Sequence, residues 1–547
     1  MRQKELDPFG DSVYRQESYY EQLEPGTECR PKSVFSSDLF QTPALTNMAL
    51  EQEAKRMAAE FEFSKDDLNK GVKEFIAEMH EGLEKQGTTL SQIPTYVTAV
   101  PNGTEKGTFL AVDLGGTNFR VCSITLHGNH TFSLTQSKVA VPRALMETEV
   151  ASELFGFMAK QIESFLKTHH ADRYETHMNK PGDVPYFDLG FTFSFPVEQV
   201  GINKGRLVRW TKGFSIQEAI GQDVCDLLQK EIKALNLPVK VSALVNDTVG
   251  TLMARSYTSP GKESTLLGAI FGTGTNGAYV EKLSNVKKMA AIDEQEGGTK
   301  YDSSTGLMIV NTEWGSFDNA LKVLPDTPYD QSLDQESNNP GIQMFEKRVS
   351  GMFLGEILRR AMLALHNHSS PGVSFLKDKS SADNDMSSTT TIDPDSPLFK
   401  QWGIDTSFLS IVEEDQSDHL RITKQILEKD LLVSAAATED AIALKMLVHA
   451  IGKRAARLAA VALGAVVIES KRLDTDGLAD IGVDGSLVEY YPGFEDYMRE
   501  AFREIDGIGA EGEKKIRIGL AKDGSGLGAA LIALVAHQSE KAGNVTV

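Results

Sequence analysis

The chain has 547 residues, with 77 Asp and Glu against 56 Lys and Arg and a formal charge of −21. Single hydrophobic cores stop growing near ~250–300 residues, so this length calls for two domains or more. With 41% apolar and 24% charged residues the composition is that of an ordinary globular protein, and collagen, coiled-coil and wholly disordered classes are excluded.

The acidic balance argues against a nucleic-acid or anionic-membrane surface, both of which call for Lys/Arg-rich faces. It leaves room for an anionic ligand held locally by backbone amides and one or two basic side chains. Three cysteines, Cys29, Cys122 and Cys225, offer neither a CxxC pair nor zinc-ligand spacing, which points to free thiols in a reducing, cytoplasmic compartment.

In chain order, residues 1–47 are polar and rich in Pro, Ser and Thr, and read as a disordered tail. Their opening stretch has no apolar core, so it is neither a secretory signal nor a transit peptide. Met48 starts a good helical pattern and is a candidate start residue. TFLAVDL runs through a Gly-Gly turn into FRVCSITLHG, a strand–turn–strand signature. A helical pattern covers 148–170, DLGFTFSFP is a strand ending at Pro196, and VKVSALVND is a strand before the helix TVGTLMARSY. LLGAIF and AYVEKL form a second strand pair around glycines. Segments 284–306 and 369–400 read as low-complexity surface stretches. Helices follow at 343–366 and 439–469, then a strand at ADIGVDGSL, then IRIGLAKDGSG leading into the helix AALIALVAHQ. The longest apolar run, Leu458 to Ile468, is far short of the roughly 20 residues that span a membrane. Strand-rich and helix-rich segments alternate in this order twice, which predicts two α/β lobes with mixed sheets.

Two glycine patterns imitate a dinucleotide fingerprint. Gly272-Thr273-Gly274-Thr275-Asn276-Gly277 lies between two strands, whereas the fingerprint must open a helix. Gly524-Ser525-Gly526-Leu527-Gly528 has a strand before it and a helix after it, but too little chain follows for the rest of a βαβ unit. No GxxxxGK[ST] is present. Asp113-Leu114-Gly115-Gly116-Thr117-Asn118 and Gly272-Thr273-Gly274 are instead hairpin turns whose small residues let N–H groups approach phosphate oxygens. With the turns at Gly482–Ser486 and Gly524–Gly526, they point to a nucleotide held between two lobes.

FLAVDLGGTNFR, LGFTFSFP, RWTKGF, VNDTVGT, FGTGTNGAY, NTEWGSF, NPGIQMFEKRVSGMFLGE, IGVDGSLVEYYPGF and AKDGSGLGAAL together resemble the eukaryotic hexokinase family. They occur in that family's order from about residue 100 to the C-terminus, and RWTKGF looks most like the fungal glucokinase branch. The resemblance implies a two-lobed, actin-like (ribonuclease H-like) ATPase fold of mixed sheets flanked by helices, with a cleft between lobes. It places the large lobe in 48–103 and 248–518 and the small lobe in 104–247 and 519–547. It also implies ATP-dependent phosphorylation of a hexose at its 6-hydroxyl, with mannose and fructose as further substrates beside glucose.

Phosphoryl transfer needs a carboxylate to orient the attacking hydroxyl, plus cations and amides on the transferring group. Asp247 matches the family's general base, and Lys212 is expected to touch both sugar and γ-phosphoryl. Ser194, Thr211, Lys212, Asn246, Asp247, Asn276, Glu313 and Glu346 match its hexose-contacting positions, with Gln343 beside them. For ATP the resemblance carries over Asp113, Gly115, Gly116, Thr117, Asn118 and Arg120 at the first turn, Thr273 and Gly274 at the second, and Gly485 with Ser486 by the adenosine. No residue ligates Mg²⁺ directly, and Asp113 acts on it through water. Leu527 stands where some relatives carry Lys, so no charge contact is assigned there. Lobe closure on the sugar is expected to expel water. A catalytically silent sugar-binding regulator and an actin-like chaperone ATPase are the competing classes. The first has no sequence cause, and the second no use for the Thr-Lys, Asn-Asp and Glu-Trp-Gly strings. The partner is a small-molecule hexose, and the chain is a monomer or a homodimer.

Overall fold

The structure, a computed structural model, describes residues 48–541 except 117, 183, 260, 262–263, 299–300, 371, 379–388, 475–476 and 522. The expected tail at 1–47, Thr117 and part of the 369–400 stretch therefore lie outside the described residues. The chain forms two compact units. One comprises the chain up to Leu68 with Ala320–Ala459 and Ser486–Met498, the other Asn69–Asn319, Ala460–Gly485 and Arg499 onward.

The second unit carries both large sheets. Its strands are β1 (Ile93–Pro94), β2 (Lys106–Leu114), β3 (Asn118–His127), β4 (Phe132–Ala140) and β5 (Phe187–Phe193), then the hairpin β6 (Val197–Gly201) and β7 (Lys204–Leu207). Beyond it come β8 (Val239–Val245), β9 (Leu267–Phe271), β10 (Thr275–Lys282) and β11 (Leu307–Asn311). The short pair β12 (Thr391–Ile392) and β13 (Val433–Ser434) belongs to the first unit, and β14 (Ala479–Asp484) and β15 (Ile516–Leu520) return to the second.

One sheet has the order β4-β3-β2-β5-β8, the other β1-β11-β10-β9-β14-β15. Each starts from an antiparallel meander, β2-β3-β4 or β9-β10-β11, and adds two parallel strands beside its first member. The two orders are the same apart from the extra edge strand β1. This is the physical content of the pattern that alternates twice along the sequence: parallel additions need helical crossovers, and antiparallel neighbours need only turns.

Helix α1 (Ala151–His169) lays Leu154, Phe155, Met158, Ile162 and Phe165 into the core of the five-stranded sheet, at the 3–4-residue spacing of one helical face. Helix α2 (Val224–Ala234) starts at Asp223, whose side chain accepts the Cys225 N–H. Helix α3 (Asp247–Thr258) follows β8 directly. Helix α4 (Thr438–Glu469) runs through both units, and its apolar run Leu458–Val467 is buried, as a segment apolar all round requires. Helix α5 (Ala529–Lys541) packs on β5, β8 and β2. No helix among the described residues is long and apolar enough to cross a membrane.

Three local readings change. Segment 284–306 contains the helix Met289–Gln295, pinned by buried Val286, Met289 and Ile292, whose spacing of three was masked by the polar residues around it. In 369–400, Phe375, Leu376 and Leu398 are buried, and Thr391–Ile392 pairs with Val433–Ser434, so the described part is packed rather than a surface loop. The helix expected over 343–366 is two, Glu346–Val349 and Gly351–His366, broken at the extended backbone of Ser350.

Charge is buried in pairs. In the first unit Arg454 forks onto Asp330 at 2.6 and 2.8 Å, while Asp330 also closes a capping box with Thr327. In the second, fully buried Asp480 on β14 accepts from Arg255 of α3 at 2.7 and 3.1 Å, Arg517 of β15 at 2.5 Å and Thr265 at 2.7 Å. Burial alone would raise the Asp480 carboxyl, but Arg255, Thr265 and Arg517 outweigh it and hold it below the usual carboxylate range. A depressed folded-state pKa contributes stability at neutral pH that is lost as the pH falls through the folded value. Asp480→Ala strands two guanidinium groups and is expected to cost about 3–5 kcal/mol. Denaturant unfolding measures it, and a loss under about 1 kcal/mol, the range of exposed pairs, would refute the claim.

Candidate active site

The β2–β3 and β9–β10 turns occupy corresponding places in the two sheets. At the first, the Ser194 N–H donates to Leu114 O at 3.3 Å. Lys212 Nζ then donates to Ser194 O at 2.9 Å and Gly115 O at 3.3 Å. Lys212 itself has φ +56, a left-handed backbone that its loop imposes. That loop is anchored next door, where the Trp210 indole N–H donates to Ile216 O at 2.7 Å and the ring stacks on Phe214 and meets the edge of Phe195. The aromatic anchor explains why a lysine with an exposed side chain nonetheless has a defined position.

At the second turn the Gly272 N–H donates to Gly274 O at 3.0 Å. Gly485 lies against it with φ +109, and a Cβ there would sit 2.5 Å from the carbonyl carbon of Phe271. The turn expected at Gly482–Ser486 is instead the end of β14, running through Asp484, and the start of a helix at Ser486, and glycine at 485 is what lets this junction approach the β9–β10 turn. Two segments that the sequence offers separately, more than 200 residues apart, become neighbours.

Asp247 enters at the end of β8. Asn246 is the N-cap of α3, its Oδ1 accepting the Thr248 N–H at 3.0 Å and the Thr248 hydroxyl. Asp247 is therefore the first helical residue, with its Oδ1 also accepting the Thr248 N–H at 2.8 Å. A helix N-terminus favours negative charge. Burial nevertheless pushes the Asp247 carboxyl above the usual carboxylate range, with Asp484 adding to the effect and Lys212 and the Thr248 N–H opposing it. Asp113, at the end of β2, is also raised by burial, against the pull of Arg120, Ser525 and Lys212 and with the push of Asp247. Glu313 is raised by burial and by Asp247, and held back by the amides of Asn311 and Asn276 and by Arg209. Asp247 thus acts electrostatically on both Asp113 and Glu313, and burial raises all three carboxyls.

The C-terminal turn supports this site from behind. Arg120 donates to Asp523 at 2.7 Å and to the Ser525 hydroxyl at 2.5 Å, and lies 3.7 Å from Asp113. A Cβ on Gly250 of α3 would sit 2.3 Å from Gly524 O, and one on Gly528 2.2 Å from Gly250 Cα. The glycines of this turn serve close packing on the helix that presents Asp247, and Leu527 is buried.

Among the expected site residues, Asp113, Gly115, Gly116, Asn118, Arg120, Ser194, Thr211, Lys212, Asn246, Asp247, Thr273, Gly274, Asn276, Glu313 and Gly485 all fall in the second unit. Gln343, Glu346 and Ser486 fall in the first. There Gln343 has φ +57 and accepts from the Asn339 amide at 2.6 Å, Glu346 opens a four-residue helix, and Ser486 opens the helix Ser486–Tyr490. Two residues at the site were passed over in the sequence, Asn311 and Asp484, and Asp523 was only a weak candidate within its Gly-Ser turn. Asn311 stands two places before Glu313 in NTEWGSF, and Asp484 ends β14 next to Gly485, so both had a local signal. Asp523 had its turn as a signal, but its pairing with Arg120, 403 residues away, had none.

Hexokinase family models match residues 53–257 and 266–535. A glucokinase of Aspergillus niger is 60% identical over 498 residues, covering 90% of this chain and 98% of that protein. Glucokinase-1 of Saccharomyces cerevisiae is 43% identical over 513 residues, with the same coverage. Among solved structures, a hexokinase from Schistosoma mansoni complexed with glucose aligns with TM-score 0.69 at 33% identity, over 88% of this chain and 98% of that one. Another hexokinase crystal structure aligns with TM-score 0.74 at 28% identity, over 90% and 100%. The chain belongs to the hexokinase family. It is a phosphotransferase with the two-lobed, actin-like ATPase fold, and ATP is its phosphoryl donor.

Proposed function

We propose that this kinase transfers the terminal phosphoryl group of ATP to the 6-hydroxyl of D-glucose, with Asp247 as general base. The observation that carries the reading is the convergence on Asp247 of Lys212 and Asp113 from the side of the glycine turns and of Glu313 from the side of the amide cluster. Asp247 orients the attacking hydroxyl and takes its proton. Lys212 faces both groups and neutralises charge that develops on the transferring phosphoryl. Ser194, Thr211, Asn246, Asn276, Glu313, Gln343 and Glu346 read the sugar hydroxyls, each of which both donates and accepts.

The first turn suits phosphate. Gly116 has φ +151 with open space beside it, and Arg120 and Lys212 flank Asp113 with positive charge. Asn118, Thr117, Thr273, Gly274, Gly485 and Ser486 complete the nucleotide contacts. Among the described residues no group of three or more His, Cys, Asp or Glu is placed to hold a metal. Mg²⁺ would be bound chiefly through phosphate oxygens, with Asp113 reaching it through water; when bound it would screen charge on the phosphates. The division into a large lobe of 48–103 and 248–518 and a small lobe of 104–247 and 519–547 is part of this proposal, as is closure on the sugar; the packing of α5 on the five-stranded sheet supports grouping 519–547 with that sheet. The free thiols of Cys122 and Cys225 suit a cytoplasmic location. A catalytically silent reading has no observation in its favour.

Initial rates of ADP release with MgATP and glucose, mannose or fructose test the proposal. Fast turnover of glucose with little use of fructose supports it. Comparable rates on all three sugars would keep the chemistry and remove the glucose preference, and sugar-independent ADP release would refute it.

A further inference from the structure

Glu313 is a half-buried carboxylate on a strained backbone, φ +53, in the left-handed region that a residue with a Cβ avoids. One of its oxygens, Oε1, accepts from Asn311 Nδ2 at 2.7 Å and from Asn276 Nδ2 at 3.2 Å. The other, Oε2, has no hydrogen bond among the described residues. Two amide donors on one oxygen leave the second free for a ligand.

The orientation of these amides follows from a backbone donor. The Gly277 N–H points at the Asn276 side chain at 2.8 Å, so the atom it meets is the acceptor Oδ1, which the Thr312 hydroxyl also approaches at 3.2 Å. Asn276 Nδ2 therefore faces the other way, toward Asn311 at 2.8 Å, and the atom of Asn311 that receives it is Oδ1. Asn311 Nδ2 is left for Glu313. A fixed main-chain hydrogen in β10 thus dictates, through two asparagines, which face of Asn311 meets the carboxylate. Asn311 is itself held in register between Ala278 of β10 and Ile93 of β1, and is almost fully buried.

We propose that Asn311 is a positioning residue for sugar recognition: it fixes Glu313 through Oε1, with Oε2 presented as an acceptor to one sugar hydroxyl. This rests on the proposal that Glu313 reads the sugar. The charge balance makes the need concrete, because burial and Asp247 favour the protonated form of Glu313, and a protonated Oε2 would donate rather than accept. Asn311 and Asn276, with Arg209, are the groups that oppose this.

The experiment measures kcat and KM against pH for the full chain, Asn311→Ala, Asn311→Asp and Glu313→Gln, with glucose and its singly deoxygenated analogues and saturating MgATP. Losing a donor to a charged group is expected to raise KM for glucose about 10- to 100-fold with a smaller change in kcat. It is also expected to move the acid limb of kcat/KM upward, since Glu313 then protonates more readily. The penalty should vanish for one deoxy sugar, the same one that makes Glu313→Gln neutral. Asn311→Asp has the size of asparagine but sets a carboxylate against Glu313, so its limb should move further than that of Asn311→Ala, and it serves where the alanine variant does not fold. Equal losses on every deoxy sugar, with an unmoved acid limb, would overturn the proposal and leave Asn311 a packing residue. Glu313→Gln with an unchanged KM for glucose would instead remove the sugar-reading role of Glu313 itself.

Discussion

Asp247→Ala is expected to lower kcat with glucose by about 10²–10⁴-fold, the usual contribution of a positioned acid–base group. The fold should survive, because Asn246 and not Asp247 is the N-cap of α3, so the capping bond to the Thr248 N–H remains. Stability should even hold or rise. The Asp247 carboxyl is held above its unfolded range, so its ionisation costs stability as the pH rises out of the ordinary carboxylate range, and the substitution removes that cost at neutral pH. An active site that spends stability on a buried charge is a common trade. Steady-state rates and thermal unfolding on the same preparation check both halves. A variant with normal kcat would refute the general-base role, and one that is inactive because it is unfolded would show that Asp247 is structural.

Lys212→Met is expected to lower kcat about 10²–10³-fold, the scale for removing one preorganised donor from developing charge. Methionine keeps much of the apolar stem, while the charge over the Phe195 ring and the bonds to Ser194 O and Gly115 O are lost. The discriminating readout is pH. Lys212 opposes the upward push on Asp247 and Asp113, so without it both carboxyls rise further. A base that protonates at higher pH loses activity sooner on acidification, so the acid limb of kcat/KM must move up. Asp484, also in electrostatic range of Asp247, adds to that direction. A lower kcat with an unmoved limb would assign Lys212 to the phosphate turn alone, as a clamp on Gly115 and Ser194.

The parts of this site legible in the sequence were those written in short windows. A Gly-Gly turn between two apolar strands, an Asn-Asp pair closing a strand before a helix, and a Gly-rich turn before the last helix each announce themselves by local chemistry. Their order along the chain carried the family. Roles did not follow so easily. The Gly524–Gly528 run imitates a dinucleotide fingerprint and is a weak nucleotide candidate in the sequence; its glycines let it lie against Gly250 behind Asp247. Arg120 keeps its place beside Asp113 at the first turn, and its bonds to Asp523 and Ser525 could not be read from the sequence. Segment 284–306 read as low complexity because Val286, Met289 and Ile292 are too few to dominate a polar window, although they are enough to seat one short helix.

By itself, the sequence determined the alternation of strands and helices, the positions of the turns and the identity of the groups able to do acid–base and phosphate chemistry, because secondary-structure period and turn preference act over a few residues. The tertiary structure decided which of those groups share a site and in what state. Asn276 and Asn311 are 35 residues apart, and only the pairing of β10 with β11 makes them one amide system on Glu313. Gly485 meets Phe271 only because β14 lies parallel beside β9. Burial and Coulomb interaction depend on distance in space, and the distances at this site are set by strand register and by the close approach of small residues, neither of which is visible in a local stretch of chain.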